Sequence, residues 1–333
     1  MLRNINTRYH LLSRNKMQAV LDDAVEQAKL VIPNGEVATY IPELGKVDPN
    51  KLGICIYRLD DDEPIVSGDA DERFTIQSVS KLISLAVALE VFGTDKVFDK
   101  VGSEPSGEAF NSLVDLDLNY SRPYNPLINS GALAISSMLL PEVSFYEMRS
   151  VARKLCVDSD IDLNKEVYES ELKNCSRNKS IAYLLESKGI IENDVEETLR
   201  LYTKMCSLNV TARSLAHFGK ILAADGVCAK SGKRLLSSNT VRIIKILMLT
   251  CGMYDGSGSF AIKVGIPSKS GVGGGLISVS DKRAGIGVFG PALDSNGNSI
   301  AGCELLEIIA HKLQMNLFYD PNWEEYSKSK LLI

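Results

Sequence analysis

The sequence predicts an α/β chain of the α+β kind: a mainly antiparallel sheet built from both chain ends, with a helical domain inserted between them. Three observations predict it. Strand-like runs gather toward the two ends of the 333 residues. Helical periodicity fills the middle. The strand runs are joined by short turns, and such links favour antiparallel neighbours.

The elements follow in order. Residues 1–15 are a basic extension; Arg3, Arg8, Arg14 and Lys16 stand in the first sixteen residues without an acid. Met17 to Ala28 places apolar residues at 17, 20, 21, 24, 25 and 28, the spacing of a helix with one buried face. Leu52 to Arg58 reads as a strand, Asp60 to Glu63 as an acidic turn, and Pro64 to Ser67 as the return strand of a hairpin. Arg73 to Gln77 is a short extended lead-in. Leu82 to Leu89, LISLAVAL, is apolar on nearly every side and belongs inside a domain. Helical patterns then dominate from about 91 to 254: Glu147–Cys156, Ser180–Ser187, Glu196–Cys206, Thr211–Ala224 and Thr240–Cys251. Phe260–Val264, Leu276–Ser280 and Gly285–Phe289 are three further strand candidates, the last two linked tightly by Asp281–Lys282–Arg283. Ile300 to Leu313 is the final helix. The expected division is a sheet domain from 16–80 and 255–333 and a helical domain from 81–254, with the site at their interface.

Composition bounds the function. Apolar residues at 45% and charged residues at 24% are globular values and exclude disorder. A net charge of -5 gives no pull toward nucleic acid or an anionic membrane. The seven cysteines are odd in number and contain no C-x-x-C, which argues against a disulfide framework and a zinc ribbon and for a reducing compartment. No apolar h-region marks a secretory signal. The longest uncharged run, Pro123 to Pro141, contains three prolines and two asparagines and makes a poor membrane span. A cytoplasmic location is expected.

Histidine is scarce: His10, His217 and His311, the last two inside periodic helices. A Ser-His-Asp triad is not expected, nor is a metal site, since HExxH and paired Cys/His spacings are absent. A hydrolase would then need another base, and a desolvated lysine can serve. The signal is S-x-x-K, which shares one helix face. It occurs five times: Ser13–Lys16, Ser78–Lys81, Ser170–Lys173, Ser176–Lys179 and Ser327–Lys330. Four lie in polar stretches. Ser78–Lys81 alone stands between an extended segment and the apolar LISLAVAL helix. That puts Ser78 at a helix N-terminus, where N–H groups favour an oxyanion, and Lys81 among apolar neighbours. The companion K-[ST]-G occurs twice. Lys230–Ser231–Gly232 is a polar turn between helices. Lys269–Ser270–Gly271 leads through Val272 and three glycines into a strand, where a ligand can approach the backbone. Amides and phenols in between (Asn129, Asn178, Tyr202, Tyr254) with Glu171 would suit a small zwitterion.

Seven stretches in order carry a family resemblance: GEVATYIPEL (35–44), FTIQSVSK (74–81), YNPLINSGA (124–132), ESELKNCSRN (169–178), LYTKMCSLNVT (201–211), CGMYDGSGSFA (251–261) and PSKSGVGGG (267–275). The chain resembles the serine-dependent glutaminases of bacterial type, which have a β-lactamase/transpeptidase-like fold. The resemblance implies hydrolysis of L-glutamine to L-glutamate and ammonia. It implies Ser78 as nucleophile, Lys81 as its base and Tyr254 as proton relay. Tyr40 would line the pocket; Asn129, Glu171, Asn178 and Tyr202 would hold the amino-acid end; the Val272 N–H would join that of Ser78 as an oxyanion hole. No metal or organic cofactor is implied, and a homodimer or homotetramer is. Ser130 departs from the family's usual alanine, and ankyrin-type tails are absent. Two alternatives stay open: a β-lactamase or D,D-peptidase, which shares S-x-x-K and K-[ST]-G, and a non-catalytic amino-acid sensor that keeps the pocket.

Overall fold

A computed structural model describes residues 13–107, 111–113 and 122–318. The basic extension through residue 12, His10 and the Ser327–Lys330 pair lie outside the described residues. The first elements are α1 (Arg14–Lys29), β1 (Gly53–Arg58), β2 (Ile65–Gly68), β3 (Phe74–Thr75) and α2 (Ser80–Lys100), which is broken at Gly93. Next come α3 (Asn129–Leu139), α4 (Phe145–Cys156), α5 (Lys165–Lys173), α6 (Ser176–Ser187) and α7 (Val195–Cys206). They are followed by β4 (Asn209–Val210), α8 (Ala212–Ala223), β5 (Val227–Cys228), β6 (Lys233–Arg234) and α9 (Ser238–Cys251). The last are α10 (Ser257–Lys263), β7 (Ser268–Ser270), β8 (Gly275–Ser280), β9 (Ala284–Phe289) and α11 (Ile300–Lys312).

Five strands form one sheet in the order β2-β1-β9-β8-β7, every neighbour antiparallel. The two chain ends meet at its centre, where Ile54 pairs with Val288 and Ile56 with Ile286. Both faces are covered, so the strands read as nearly continuous apolar runs rather than alternating ones. Ile54, Ile56, Ile286 and Val288 pack into one cluster with α1 and α11; Cys55, Tyr57 and Phe289 turn to the other side. There α8 lies against β9 closely enough to demand glycine. A Cβ on Gly287 would sit 1.9 Å from Ala212 O, and one on Gly285 1.9 Å from Lys220 N. The fold is therefore α+β, with an antiparallel sheet from both chain ends and helices between them.

One strand expectation is overturned. Phe260–Val264 is not a strand: its residues through Lys263 lie in α10, and Val264 N closes the last turn on Phe260 O at 2.8 Å. A five-residue apolar run does not distinguish strand from helix by periodicity. The edge strand is instead the polar Ser268–Ser270, paired with Leu276–Ser278 and buried along its length. The Ser268 and Ser278 hydroxyls satisfy each other at 2.7 Å. The lead-in before the LISLAVAL helix is also shorter than expected. Only Phe74 and Thr75 are strand, paired with Val210 and Asn209, and Gln77–Val79 is already a 3-10 turn. Among the described residues no helix is long and apolar enough to cross a membrane.

Candidate active site

Each candidate side chain is set by a local device. Ser78 lies in the 3-10 turn that feeds α2, and its predecessor Gln77 takes a left-handed φ of 46°. Asn129 opens α3. The turn before it is fixed by Asn125, whose side-chain carbonyl accepts from Leu127 N at 2.9 Å and Ile128 N at 3.2 Å. Glu171 sits in the last turn of α5, which Asn164 caps by accepting from Val167 N at 3.0 Å. Asn178 is in the first turn of α6, and Tyr202 in α7 behind its Asp194 cap. Tyr254 begins a 3-10 turn after α9 with φ of 52°. Left-handed backbone at a non-glycine residue costs of order 1–3 kcal/mol and persists where the surroundings impose it. Gln77 and Tyr254 thus hold their strain on the two sides of one site.

These devices converge. Lys81 Nζ donates to Leu127 O at 3.0 Å and to Asn129 Oδ1 at 2.7 Å. Asn129 Nδ2 donates to Asn178 Oδ1 at 2.9 Å, and the Tyr202 hydroxyl donates to Asn129 Oδ1 at 3.4 Å. Ser78 and Tyr254 share a side-chain hydrogen bond, and the Tyr254 hydroxyl also donates to Ser270 O at 3.2 Å. Gln77 Nε2 donates to Glu171 Oε2 at 3.4 Å. The glycine strip after β7 abuts the backbone at Ser78: a Cβ on Gly271 would lie 2.8 Å from Ile76 O and 3.3 Å from Ser78 N. Val272 is buried in a small cluster with Tyr254 and Leu293. Tyr40 stands at the rim, 56% exposed, beside a cavity of about 490 Å³ lined by Tyr40, Val272, Glu36 and Asp294 among others.

Burial sets the electrostatics. It pulls the Lys81 amine down to about 8, while Cys206 and Glu171 pull the other way. It pushes the Glu171 carboxyl up to about 7, which the Gln77 hydrogen bond and Lys81 only partly offset. The Tyr254 phenol is raised by burial against the lowering effect of its bond to Ser78. The phenol of Tyr202 is raised well above its ordinary range by burial, with Cys206 and Glu171 adding to it. With its midpoint near 8, roughly a tenth of Lys81 is the uncharged amine at pH 7 and about half at pH 8. Its two N–H groups then meet the carbonyl oxygens of Leu127 and Asn129, and its lone pair is left for a proton one turn back along the helix.

The other sequence candidates stay apart from this cluster. Ser170–Lys173 runs along α5 to an exposed lysine, and Lys230–Ser231–Gly232 is exposed between β5 and β6. His217 stacks on Tyr57 with ring centroids 3.8 Å apart, and burial with nearby Lys220 lowers it to about 4, so it is a neutral packing residue. His311 lies in the last turn of α11.

Two members of the site were not assigned from sequence. Gln77 links the Ser78 turn to Glu171; a polar residue between Ile76 and Val79 was its only trace. Lys269 was noticed for its motif, not for its amine. That amine is 0% exposed, stands 4.4 Å from the centre of the Tyr254 ring and donates to Ser270 O. Burial and repulsion from Lys81 hold it well below the ordinary lysine range.

Comparison with known proteins identifies the family. A family profile described as glutaminase matches residues 35–318. The glutaminase of Clostridium tetani is 47% identical over 306 residues, 91% of this chain and 100% of the relative. That of Fusobacterium nucleatum is also 47% identical over 306 residues, with the same coverage of 91% and 100%. A probable glutaminase from Bacillus subtilis, solved with 6-diazo-5-oxo-L-norleucine, superposes with a TM-score of 0.83 at 36% identity, covering 96% of this chain and 99% of that one. A Bacillus subtilis glutaminase covalently joined to 5-oxo-L-norleucine, formed by reaction with 6-diazo-5-oxo-L-norleucine, superposes with a TM-score of 0.82 at 38% identity, covering 91% and 100%. The likeness carries the β-lactamase-like fold expected from the sequence. Since the match spans nine-tenths of the chain and runs through every segment that meets at Ser78, the chain belongs to the glutaminase family.

Proposed function

We propose that the protein hydrolyses L-glutamine to L-glutamate and ammonia through an acyl-enzyme on Ser78. The observation that carries this reading is the Lys81 amine: buried, lowered to about 8, with its N–H groups engaged by Leu127 O and Asn129 Oδ1, one helical turn from Ser78. Lys81 takes the Ser78 proton, and the alkoxide oxygen bonds to the carbonyl carbon of the side-chain amide. The tetrahedral oxyanion rests on the N–H groups of Ser78 and Val272. Tyr254, hydrogen-bonded to Ser78, passes a proton to the leaving nitrogen and regains one from the Lys81 ammonium, which becomes an uncharged amine again. The C–N bond breaks, ammonia departs, and the ester remains. Water then attacks the ester and gives up a proton to Lys81; the bond to the Ser78 oxygen breaks, that oxygen takes the proton back, and glutamate is released. The scheme calls on no metal or organic cofactor.

Recognition falls to the other groups. Glu171 as carboxylate meets the ammonium of the substrate; Asn129, Asn178 and Tyr202 meet its carboxylate end; Tyr40 covers the mouth. The covalent Bacillus subtilis complex supports the acyl-enzyme, because its reagent carries a ketone where glutamine carries the amide carbonyl. The supply of residues supports a site between a sheet part (16–80 with 255–333) and a helical part (81–254): Tyr40, Ser78 and Val272 come from the sheet part, the remainder from the helical part. A homodimer or homotetramer in the cytoplasm goes with this reading.

Ammonia release from glutamine is the decisive assay, run beside nitrocefin hydrolysis to detect β-lactamase chemistry. Ser78→Ala is expected to lose on the order of 10³-fold or more in kcat, the scale of other nucleophile deletions. Parental turnover by that variant would remove Ser78 from the mechanism. Glutamine binding in a calorimeter without any ammonia release would favour a sensor instead.

A further inference from the structure

Tyr254 stands on a left-handed turn, and one side chain braces that turn from within. Ser257 Oγ accepts from Met253 N at 3.0 Å and donates to Tyr254 O at 2.7 Å. Ser257 is only 6% exposed, so water is poorly placed to replace either bond. Ties from outside act on the preceding residues. Asn298 Nδ2 donates to Met253 O at 3.2 Å, and Ser270 N donates to Gly252 O at 3.0 Å. They fasten the turn to its surroundings, whereas the Ser257 bond acts on the Tyr254 peptide itself. A tyrosine at φ of 52° relaxes toward the right-handed region unless held. That relaxation swings the Cα–Cβ bond and carries the phenol away from Ser78.

We propose that Ser257 is a positioning residue: its hydroxyl holds the left-handed turn that keeps the Tyr254 phenol on Ser78 and on the leaving nitrogen. The inference rests on the reading of Tyr254 as proton relay given above. It places the effect in turnover rather than binding, because Glu171, Asn129, Asn178 and Tyr202 hold the amino-acid end from other elements.

The test is a double-mutant cycle on the full chain, read as kcat and KM for glutamine by ammonia release. Ser257→Ala is expected to lower kcat at least about tenfold with KM within about twofold, in line with the cost of small misplacements of a catalytic group. In a Tyr254→Phe background the same change should cost nothing further, since the hydroxyl it positions is gone. Ser136→Ala, which removes a buried hydroxyl bonded to Ala132 O at 2.8 Å, should keep parental kcat. Circular dichroism establishes that each variant is folded at the assay temperature. Should Ser257→Ala fail to fold, Ser257→Cys, close in volume and a weak donor, is read by the same criteria. Parental kcat in the Ser257 variant overturns the inference. So does an equal loss in the Tyr254→Phe background or in Ser136→Ala. Parental kcat in Tyr254→Phe alone defeats the relay reading, and the inference falls with it.

Discussion

The tripeptide Lys-Ser-Gly folds into opposite surroundings at its two positions. Lys230–Ser231–Gly232 turns a small hairpin between β5 and β6 with all three residues exposed. Lys269–Ser270–Gly271 closes β7 with its lysine and serine wholly enclosed and its glycine against the backbone of Ser78. The S-x-x-K pattern divides the same way: Lys81 is 2% exposed, whereas Lys173 lies in water at the end of α5. A lysine in water is a cation throughout the physiological range. One stripped of water and left near other amines gives up its proton far more readily. Desolvation, not the letters of the motif, makes a base.

That contrast can be broken by paired substitutions. The largest expected effect is at the base: Lys81→Ala should lose on the order of 10³-fold in kcat, as nucleophile and base deletions do when they act as a unit, and Lys173→Ala should stay parental. Activity of Lys81→Ala within tenfold of the parent would end the distinction. Next is the buried carboxylate. Glu171→Gln should raise KM about 10- to 100-fold, the worth of a hydrogen bond to a charged group, while exposed Glu169→Gln should leave it alone. The pH profile sharpens the same point. On the proposed mechanism the working forms are Glu171 without its proton, near 7, and Lys81 without its proton, near 8. So kcat/KM should rise with pH between about 6 and 9, the midpoints belonging to the interacting pair. A profile that falls over this range would contradict both assignments. The smallest effect is at the second buried amine. Lys269→Met removes its bond to Ser270 O, the carbonyl that also receives the Tyr254 hydroxyl, and should lower kcat about fivefold, the scale of one neutral hydrogen bond. Lys230→Met should be silent; equal effects from the two would show that burial at β7 has no part in turnover.

How far the molecule was legible depended on the kind of signal. β1, β8 and β9 stood out because both faces of the sheet are buried, so their residues are apolar without interruption. Ser268–Ser270 did not, because its buried hydroxyls are satisfied across the pair to Ser278 and no apolar letters mark it. Phe260–Val264 misled because five apolar residues fit either period. Ser78–Lys81 was picked out by its apolar helix, a local feature. The partnership of Lys81 with Asn129, and of Asn129 with Asn178 and Tyr202, spans contacts up to 73 residues apart and has no local trace. The positions stood out singly as amides and a phenol suited to a small zwitterion; their joint role came from resemblance to a family. The left-handed turns at Gln77 and Tyr254 were hidden for another reason: neither residue is a glycine or asparagine, the usual sign of such backbone.

The pairing of Ile54 with Val288 bears on how the molecule is made. Synthesis runs from the N-terminus, so the β1–β2 hairpin emerges long before β9, its partner at the sheet's centre. Until residues 268–289 leave the ribosome, the hairpin has one open edge and Ser78 has no glycine strip beside it. Folding is bound to be late and of high contact order. An unfinished chain therefore holds the serine and its lysine but not the second wall of the cleft, and hydrolysis begins only when translation has nearly ended.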